Sequence, residues 1–89
     1  GYDTSGVARG VAVAGNYAIL KHANGGWTVL YVGETENLSG RMANHHRQSC
    51  FDRNGWTHLA FRAELSAEAR KRIEADLMQF YKSVCNREG

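Results

Sequence analysis

The pattern of apolar and polar positions predicts two strands near the start of the chain, joined by a tight turn. The stretches NYAILK (16–21) and WTVLYV (27–32) are rich in aromatic and branched residues, which favour strands. Between them lies HANGG, whose Asn-Gly-Gly sequence is typical of a hairpin turn. The pattern therefore predicts an antiparallel hairpin.

The rest of the chain alternates between helical and strand patterns. Leu38 and Met42 lie at helical spacing, which predicts a helix capped by Thr35 or Asn37 and running to about Gln48. The segment SCFDRNGW (49–56) is expected to be a loop. Alternation of apolar and polar residues over 57–65 predicts a half-buried third strand.

A final helix is predicted after Ser66, which is a good helix cap. Its apolar stripe would consist of Ala69, Ile73, Leu77, Phe80 and Val84. The predicted fold class is therefore α+β, with a small three-stranded antiparallel sheet flanked by helices in the order β-β-α-β-α. Residues 1–14 are rich in glycine and small residues and are expected to form a flexible lead-in to a domain over 15–89.

Length and charge narrow the range of functions only slightly. A chain of 89 residues with 43% hydrophobic and 22% charged residues suits one globular domain. The formal net charge of +2 is too small to indicate a nucleic-acid partner by itself. The segment from Arg41 to Arg62, however, contains four arginines and three histidines but a single acid, Asp52, so the middle of the chain is locally basic.

Cys50 and Cys85 have no spacing typical of a metal site or of a disulfide framework. They are expected to be reduced thiols, which favours a cytoplasmic location. No apolar run approaches the ~18 residues that a membrane span needs, and the first residues lack the pattern of a signal peptide.

Six polar residues carry the candidate chemistry. Tyr17 and Tyr31 fall on neighbouring antiparallel strands, where their side chains can meet. Arg41 and His45 are four residues apart and would share one face of the first helix. Glu74 lies beside the apolar stripe of the last helix. The full set of candidate site residues is Tyr17, Tyr31, Arg41, His45, Glu74 and Asn86.

In their order and spacing these residues resemble the GIY-YIG nuclease domain, over the range from about Gly15 to Asn86. The first signature is matched by GNY (15–17), with Asn16 at the usual position of isoleucine or valine, and the second by YVG (31–33). The segment after it is matched by Thr35, Asn37, Leu38, Arg41 and His45, the metal-binding glutamate by EADLM (74–78), and the terminal asparagine by Asn86.

The resemblance implies a metal-dependent endonuclease that hydrolyses DNA phosphodiester bonds. Glu74 would bind one divalent ion, Mg²⁺ or Mn²⁺. The planar guanidinium of Arg41 would stabilise the phosphate. Tyr17 and Tyr31 would orient or deprotonate the attacking water, with Tyr17 favoured as the base, and His45 would assist or relay a proton. Asn86 would brace the site through hydrogen bonds.

Partners and departures from the family pattern follow from the same resemblance. DNA is the expected partner, a fused or separate DNA-binding domain would supply specificity, and cleavage of both strands would need a dimer or two binding events.

Glu34 is an extra acid that would weaken DNA binding or contribute to the metal site. Asn16 is expected to face outward from its strand, and Cys85 takes the position of a frequent proline.

Three other hypotheses compete with this one. The chain could be a catalytically inactive module of the same fold that binds nucleic acid or protein. It could hold an HNH-type metal site built from His45, His46, Asn54 and His58, although the gaps are short for that fold. It could also hold zinc on His45, His46, Cys50 and His58, without a recognised ligand spacing.

Overall fold

A computed structural model describes residues 12–87 of the chain. The predicted hairpin is confirmed: β1 (Gly15–Ala23) pairs antiparallel with β2 (Gly26–Thr35). The turn residues Asn24 and Gly25 have φ of 55° and 77°. Two consecutive left-handed residues define the hairpin turn that matches the twist of the strands, and asparagine and glycine tolerate this conformation best.

The third strand, β3 (His58–Ala63), pairs with the other side of β1, which gives the sheet order β2-β1-β3. The expected α+β fold with a three-stranded antiparallel sheet is thus confirmed. The half-buried pattern expected for this strand is wrong, because the consecutive residues Leu59, Ala60 and Phe61 are all buried. Both faces of the sheet are covered, so alternating exposure cannot arise.

The predicted helix from 37 to 48 is in fact two short helices, α1 (Leu38–Ala43) and α2 (Gln48–Arg53). Asn37 caps α1 as expected, since its side-chain oxygen accepts the Gly40 N–H at 3.1 Å. The helix stops because Asn and His are weak helix formers and because the His45 ring accepts the Arg47 amide at 3.0 Å. Residues 49–53, expected in a loop, belong to α2.

The last long helix, α3 (Ala67–Tyr81), begins at Ser66, whose hydroxyl accepts the Ala69 N–H at 3.2 Å. The predicted cap is confirmed. The predicted apolar stripe is wrong at its end: Phe80 is 77% exposed, and Val84 lies beyond the left-handed Lys82 that ends the helix. A short α4 (Val84–Arg87) follows.

Two layers of helices pack on the two faces of the sheet. One face carries the larger core, in which strand residues meet the apolar residues of α1, α2 and α4; its buried members include Tyr17, Ile19, Tyr31, Leu38, Met42, Phe51 and Phe61. The other face is smaller, with Ala18, Val32 and Ala60 packed against Leu77 of α3. The tyrosine side chains and the helix α3 therefore pack on opposite faces of the sheet.

Cys50 and Cys85 form a disulfide between α2 and α4, so the expectation of two reduced thiols is wrong. The two residues are 35 positions apart, and their α carbons lie 5.8 Å from each other. Only the tertiary fold brings them together, which explains why the spacing carried no signal.

The predicted boundary between a lead-in and a domain falls partly outside the described residues, which begin at residue 12. Val13 packs against the larger core and its carbonyl accepts the Leu38 N–H at 2.9 Å. The Ala14 carbonyl accepts the Glu64 N–H at 3.0 Å. These two residues are thus attached to the domain. Within the described part of the chain, no helix is long and apolar enough to cross a membrane.

Candidate active site

The strand register brings Tyr17 and Tyr31 to the same face of the sheet. Tyr17 lies opposite Gly33 and Tyr31 lies opposite Ile19, so the two rings are diagonal neighbours with centroids 6.0 Å apart. Tyr17 is fully buried and Tyr31 nearly so. The proximity of the two tyrosines that the sequence predicts is therefore present.

The glycines of the two tripeptides are required by close packing. A β carbon at Gly33 would lie 2.7 Å from both Cζ and Oη of Tyr17. A β carbon at Gly15 would collide with the Arg62 carbonyl and would lie 2.7 Å from the Phe61 ring. The absence of a side chain at position 33 leaves the space in which the Tyr17 hydroxyl lies.

His45 makes the shortest polar contact of the site, with 2.6 Å between its Nε2 and the Tyr17 hydroxyl. It lies between α1 and α2, so it does not share a helix with Arg41 as expected from the spacing. Its Nδ1 accepts the Arg47 N–H, and the proton of the neutral ring must therefore be on Nε2. The ring thus donates a hydrogen bond to the Tyr17 oxygen.

His45 is neutral near pH 7. Burial, followed by the nearby charges of His46, Arg41 and Arg47, lowers its pKa to about 4. Protonation would also place an N–H at Nδ1 against the Arg47 N–H, which removes that hydrogen bond. The ring is therefore fixed as a donor toward Tyr17.

Burial raises the pKa of both tyrosines above the ordinary value. For Tyr17 the neighbouring Tyr31 adds to the effect of burial, and the Arg41 charge opposes it. The Glu74 charge raises the pKa of both tyrosines as well. Either phenol is consequently protonated near neutral pH, and an added positive charge is needed to make it a base.

Arg41 is half-buried near the end of α1. Burial is the main cause of each pKa shift in the site, but the Arg41 charge also lowers the pKa of four groups, those of Tyr17, Tyr31, His45 and Glu74. No carboxylate among residues 12–87 forms an ion pair with it. Arg41 thus lies within electrostatic range of four other candidate residues.

Glu74 approaches from the opposite helical layer and is half-buried on α3. Burial and then the Glu34 charge raise the pKa of its carboxyl, while the Glu34 backbone N–H, Arg41 and Lys71 lower it. Within residues 12–87, Glu74 forms no ion pair. A partly dehydrated carboxylate beside a second acid, with no cation bonded to it, suits a hard divalent ion.

Asn86 forms its side-chain hydrogen bonds with the backbone of β2. Its amide nitrogen donates to the Val32 carbonyl at 2.9 Å, and its amide oxygen accepts the Val32 N–H at 2.8 Å. Val32 lies between Tyr31 and Gly33, and β2 is an edge strand. Asn86 therefore pairs backbone groups that would otherwise face outward from the sheet. Its neighbour Cys85 ties the same segment to α2.

A buried polar network next to Glu74 was missed from the sequence. Arg70 is 3% exposed and donates from Nε to Glu34 at 3.0 Å. Asn16, expected to face outward, is buried and donates to the Arg70 carbonyl at 2.9 Å. Arg70 precedes Glu74 by one helical turn, a spacing that could have marked it as a neighbour of the site.

The structure does not assemble the two alternative metal sites. His46 stacks on His45 with ring centroids 4.9 Å apart, whereas His58 packs against Trp27 at the far end of the hairpin. Cys50 is committed to the disulfide. Among residues 12–87, no group of three or more His, Cys, Asp or Glu could hold a metal ion. The HNH-type and zinc hypotheses are therefore wrong for this part of the chain.

Comparison with solved structures identifies the fold. Two crystal structures of the GIY-YIG N-terminal endonuclease domain of UvrC from Thermotoga maritima, both tyrosine point mutants bound to a catalytic divalent cation, superpose with TM-scores of 0.67. Sequence identity is 17% and 16%, over 85% of this chain and 84% of each domain.

At the level of sequence, no family model matches the chain. No curated protein is significantly similar to it. The likeness therefore lies in the three-dimensional arrangement, and it extends over most of the chain. This chain has the fold of the GIY-YIG endonuclease domains.

Proposed function

We propose that this chain is a GIY-YIG-type endonuclease that hydrolyses DNA phosphodiester bonds with the help of one divalent ion. The observation that carries the proposal is the 2.6 Å hydrogen bond between His45 Nε2 and the Tyr17 hydroxyl. A buried tyrosine that only fills the core needs a single hydrogen-bond partner of any kind. Here that partner is the neutral imidazole of His45. The charges of Arg41 and Glu74 also act on the Tyr17 hydroxyl.

Tyr17 is the proposed base for the attacking water. Its phenol is a weak base while it is protonated, because burial raises its pKa. The His45 Nε2–H and the Arg41 charge both stabilise a phenolate at that oxygen. Tyr31, whose ring lies 6.0 Å from that of Tyr17, supports the orientation of the water.

Arg41 is the proposed phosphate ligand. Its guanidinium forms no ion pair within the described residues, and its fork of donors matches two phosphate oxygens. The charge that builds up on the phosphate during attack makes this contact stronger in the transition state than in the bound substrate. Asn86 holds β2 in place beneath Tyr31 through its two hydrogen bonds to Val32.

Glu74 is the proposed ligand for the divalent ion. Oxygen ligands favour Mg²⁺ or Mn²⁺ over softer ions, and a single carboxylate leaves most coordination positions to water and phosphate. When bound, the ion supplies positive charge to the phosphate and to the attacking water. The negative charge that would bind this ion is that of Glu74, which has no ion-pair partner among residues 12–87.

DNA as the substrate is supported by the fold and by the local excess of basic residues between 41 and 62. A fused or separate DNA-binding domain, and a dimer for cutting both strands, stay predictions. The cytoplasmic location also stays a prediction. The Cys50–Cys85 disulfide weighs against a reducing cytosol, because disulfides persist mainly in oxidising compartments.

The test is nicking of supercoiled plasmid in Mg²⁺ or Mn²⁺ by the wild-type chain and by Glu74→Gln and Arg41→Ala. Two matched controls remove the same charges from exposed positions of α3, namely Glu68→Gln and Arg72→Ala. We expect metal-dependent nicking that both site variants lose by at least about 100-fold, while both controls retain it. Circular dichroism of every variant verifies that it is folded.

Two results would contradict the proposal. Nicking that survives in Glu74→Gln would exclude the assigned metal ligand. Wild-type protein that binds DNA at low salt but does not cut it, whichever divalent ion is added, would instead support the catalytically inactive binding module, whose affinity should fall steeply with added salt.

A further inference from the structure

The buried network of Asn16, Glu34 and Arg70 lies directly beside Glu74 and has no assigned role in cleavage. We propose that Glu34 is a second carboxylate of the metal site, oriented toward the ion by Arg70. This inference rests on the proposed function, since it concerns the divalent ion bound at Glu74. It makes Glu34 a part of the site and not an obstacle to substrate binding.

Arg70 is held rigidly on three sides. Its Nε donates to Glu34 Oε2, and its Nη1 donates to the carbonyls of Glu64 and Leu65, all at 3.0 Å. Its own backbone carbonyl accepts the Asn16 amide at 2.9 Å. A buried guanidinium with this many fixed partners has almost no rotational freedom, so the Glu34 carboxylate that it binds is fixed as well.

Only one of the two Glu34 oxygens is used by Arg70. The salt bridge is made by Oε2 alone, and Oε1 has no hydrogen-bond partner within residues 12–87. The Glu34 side chain is 21% exposed, so solvent and ions reach it. An arginine that only had to be neutralised would be served better by two parallel hydrogen bonds to both oxygens. The single contact leaves one oxygen available to a metal-bound water.

The position of Glu34 relative to Glu74 points the same way. Arg70 and Glu74 are one turn apart on α3, so the carboxylate held by Arg70 lies next to Glu74. The Glu34 backbone N–H and its side-chain charge both act on the Glu74 carboxyl. The Glu34 charge repels that of Glu74 even though Arg70 is bonded to Glu34, and a divalent ion bound by both carboxylates would reduce this repulsion.

Mn²⁺ binding in the absence of DNA tests the inference without reference to cleavage. Free Mn²⁺ is measured by electron paramagnetic resonance as it is titrated into folded protein. Outer ligands of metal sites change affinity by about 10- to 100-fold. We therefore expect Glu34→Gln to weaken Mn²⁺ binding about tenfold or more, Glu74→Gln to abolish it, and Glu68→Gln, an exposed acid on the same helix, to leave it unchanged.

A double variant separates a metal role from neutralisation of Arg70. Glu34→Gln alone leaves a buried guanidinium without its carboxylate, which destabilises the fold. Glu34→Gln combined with Arg70→Met removes both charges and restores electroneutrality in the network. We expect the double variant to be folded and still to bind Mn²⁺ about tenfold more weakly. Recovery of wild-type affinity in the double variant would overturn the inference.

The outcomes distinguish this inference from the proposed function. Plasmid nicking together with unchanged Mn²⁺ affinity in Glu34→Gln would overturn the role of Glu34 and leave the endonuclease standing. Weakened Mn²⁺ binding in Glu34→Gln without any nicking by the wild-type chain would support the two-carboxylate site and contradict the endonuclease. Absence of Mn²⁺ binding by the wild-type chain would overturn the inference.

Discussion

Replacing Gly33 by alanine adds one methyl group at the point where the Tyr17 ring meets β2. The new β carbon would lie 2.7 Å from Cζ and Oη of Tyr17. Carbon atoms in contact are normally about 3.5–4.0 Å apart, so the ring would have to retreat by roughly 1 Å. The Tyr17–His45 hydrogen bond, now 2.6 Å, would then exceed the range of a hydrogen bond.

The expected consequences follow from this displacement. Overpacking of a filled core costs about 1–3 kcal/mol of unfolding free energy, and the lost hydrogen bond adds about 1 kcal/mol. A displacement of ~1 Å in a catalytic group lowers the rate by about 100-fold. Urea unfolding measures the first effect, and plasmid nicking in Mg²⁺, at a temperature where the variant is folded, measures the second.

Gly26→Ala is the matched control. Gly26 lies in the same strand, and a β carbon there would meet only the Ala23 carbonyl, at 3.9 Å. We expect this variant to match the wild type in stability and in nicking rate. If Gly33→Ala nicks as fast as Gly26→Ala, the Tyr17–His45 contact is not part of the catalytic geometry, and the role given to Tyr17 as the base is refuted.

Three further predictions concern the disulfide, His45 and Asn86. Reduction of Cys50–Cys85 opens a loop with a separation of 35 residues, which by chain entropy lowers the unfolding free energy by about 4 kcal/mol; equal urea midpoints with and without dithiothreitol would contradict this. The pKa of His45 in the folded chain, about 4, lies below its ordinary value of 6.5. As the pH decreases, the unfolded chain therefore takes up a proton on His45 at a higher pH than the folded chain does. Stability is therefore full above pH 6.5 and falls as the pH decreases toward 4, a slope that His45→Gln should reduce in urea titrations. Asn86→Ala removes both hydrogen bonds to Val32 and should cost about 1–3 kcal/mol in the same measurement, with a lower nicking rate; no loss of stability would contradict the bracing role.

Local signals in the sequence predicted the sheet and the cap residues well. The Asn24-Gly25 turn and the Ser66 cap are each determined by neighbouring residues, so the pattern was sufficient to predict them. The shared face of the two tyrosines was less predictable. The register set by the turn holds only as far as Leu20 opposite Val29, and a bulge between Ile19 and Leu20 then shifts it so that Tyr31 lies opposite Ile19 and Tyr17 opposite Gly33.

Features that depend on tertiary contacts could not be predicted from neighbouring residues in the sequence. The helix expected to continue to Gln48 ends early because the His45 ring binds the Arg47 amide, a contact that also directs His45 toward Tyr17. Phe80 follows the helical period of α3 but is 77% exposed, so the periodicity alone did not identify which apolar residues of the helix are buried.

The burial of polar side chains is the feature of the structure that the sequence pattern predicted least well. Asn16 and Arg70 would each be expected at the surface. Their mutual contact, the salt bridge to Glu34 and the hydrogen bonds from Arg70 to two backbone carbonyls make their burial tolerable. Hydrophobic periodicity contains no information about such partners, since both residues look polar in every pattern. The sequence marked Glu34 as an acid that would either weaken DNA binding or contribute to the metal site, but only the structure shows that Arg70 orients it.

The Cys50–Cys85 disulfide closes a covalent ring that contains β3, the 64–66 connection and all of α3. The exposed Leu65 and Ser66 in that connection offer a protease an accessible segment. A single cut there would leave Arg41 on one peptide and Glu74 on another, yet the two fragments would stay joined through sulfur. The oxidised domain therefore stays one covalent molecule after a single proteolytic cut in this segment. After reduction of the disulfide, the same cut would let the two fragments separate.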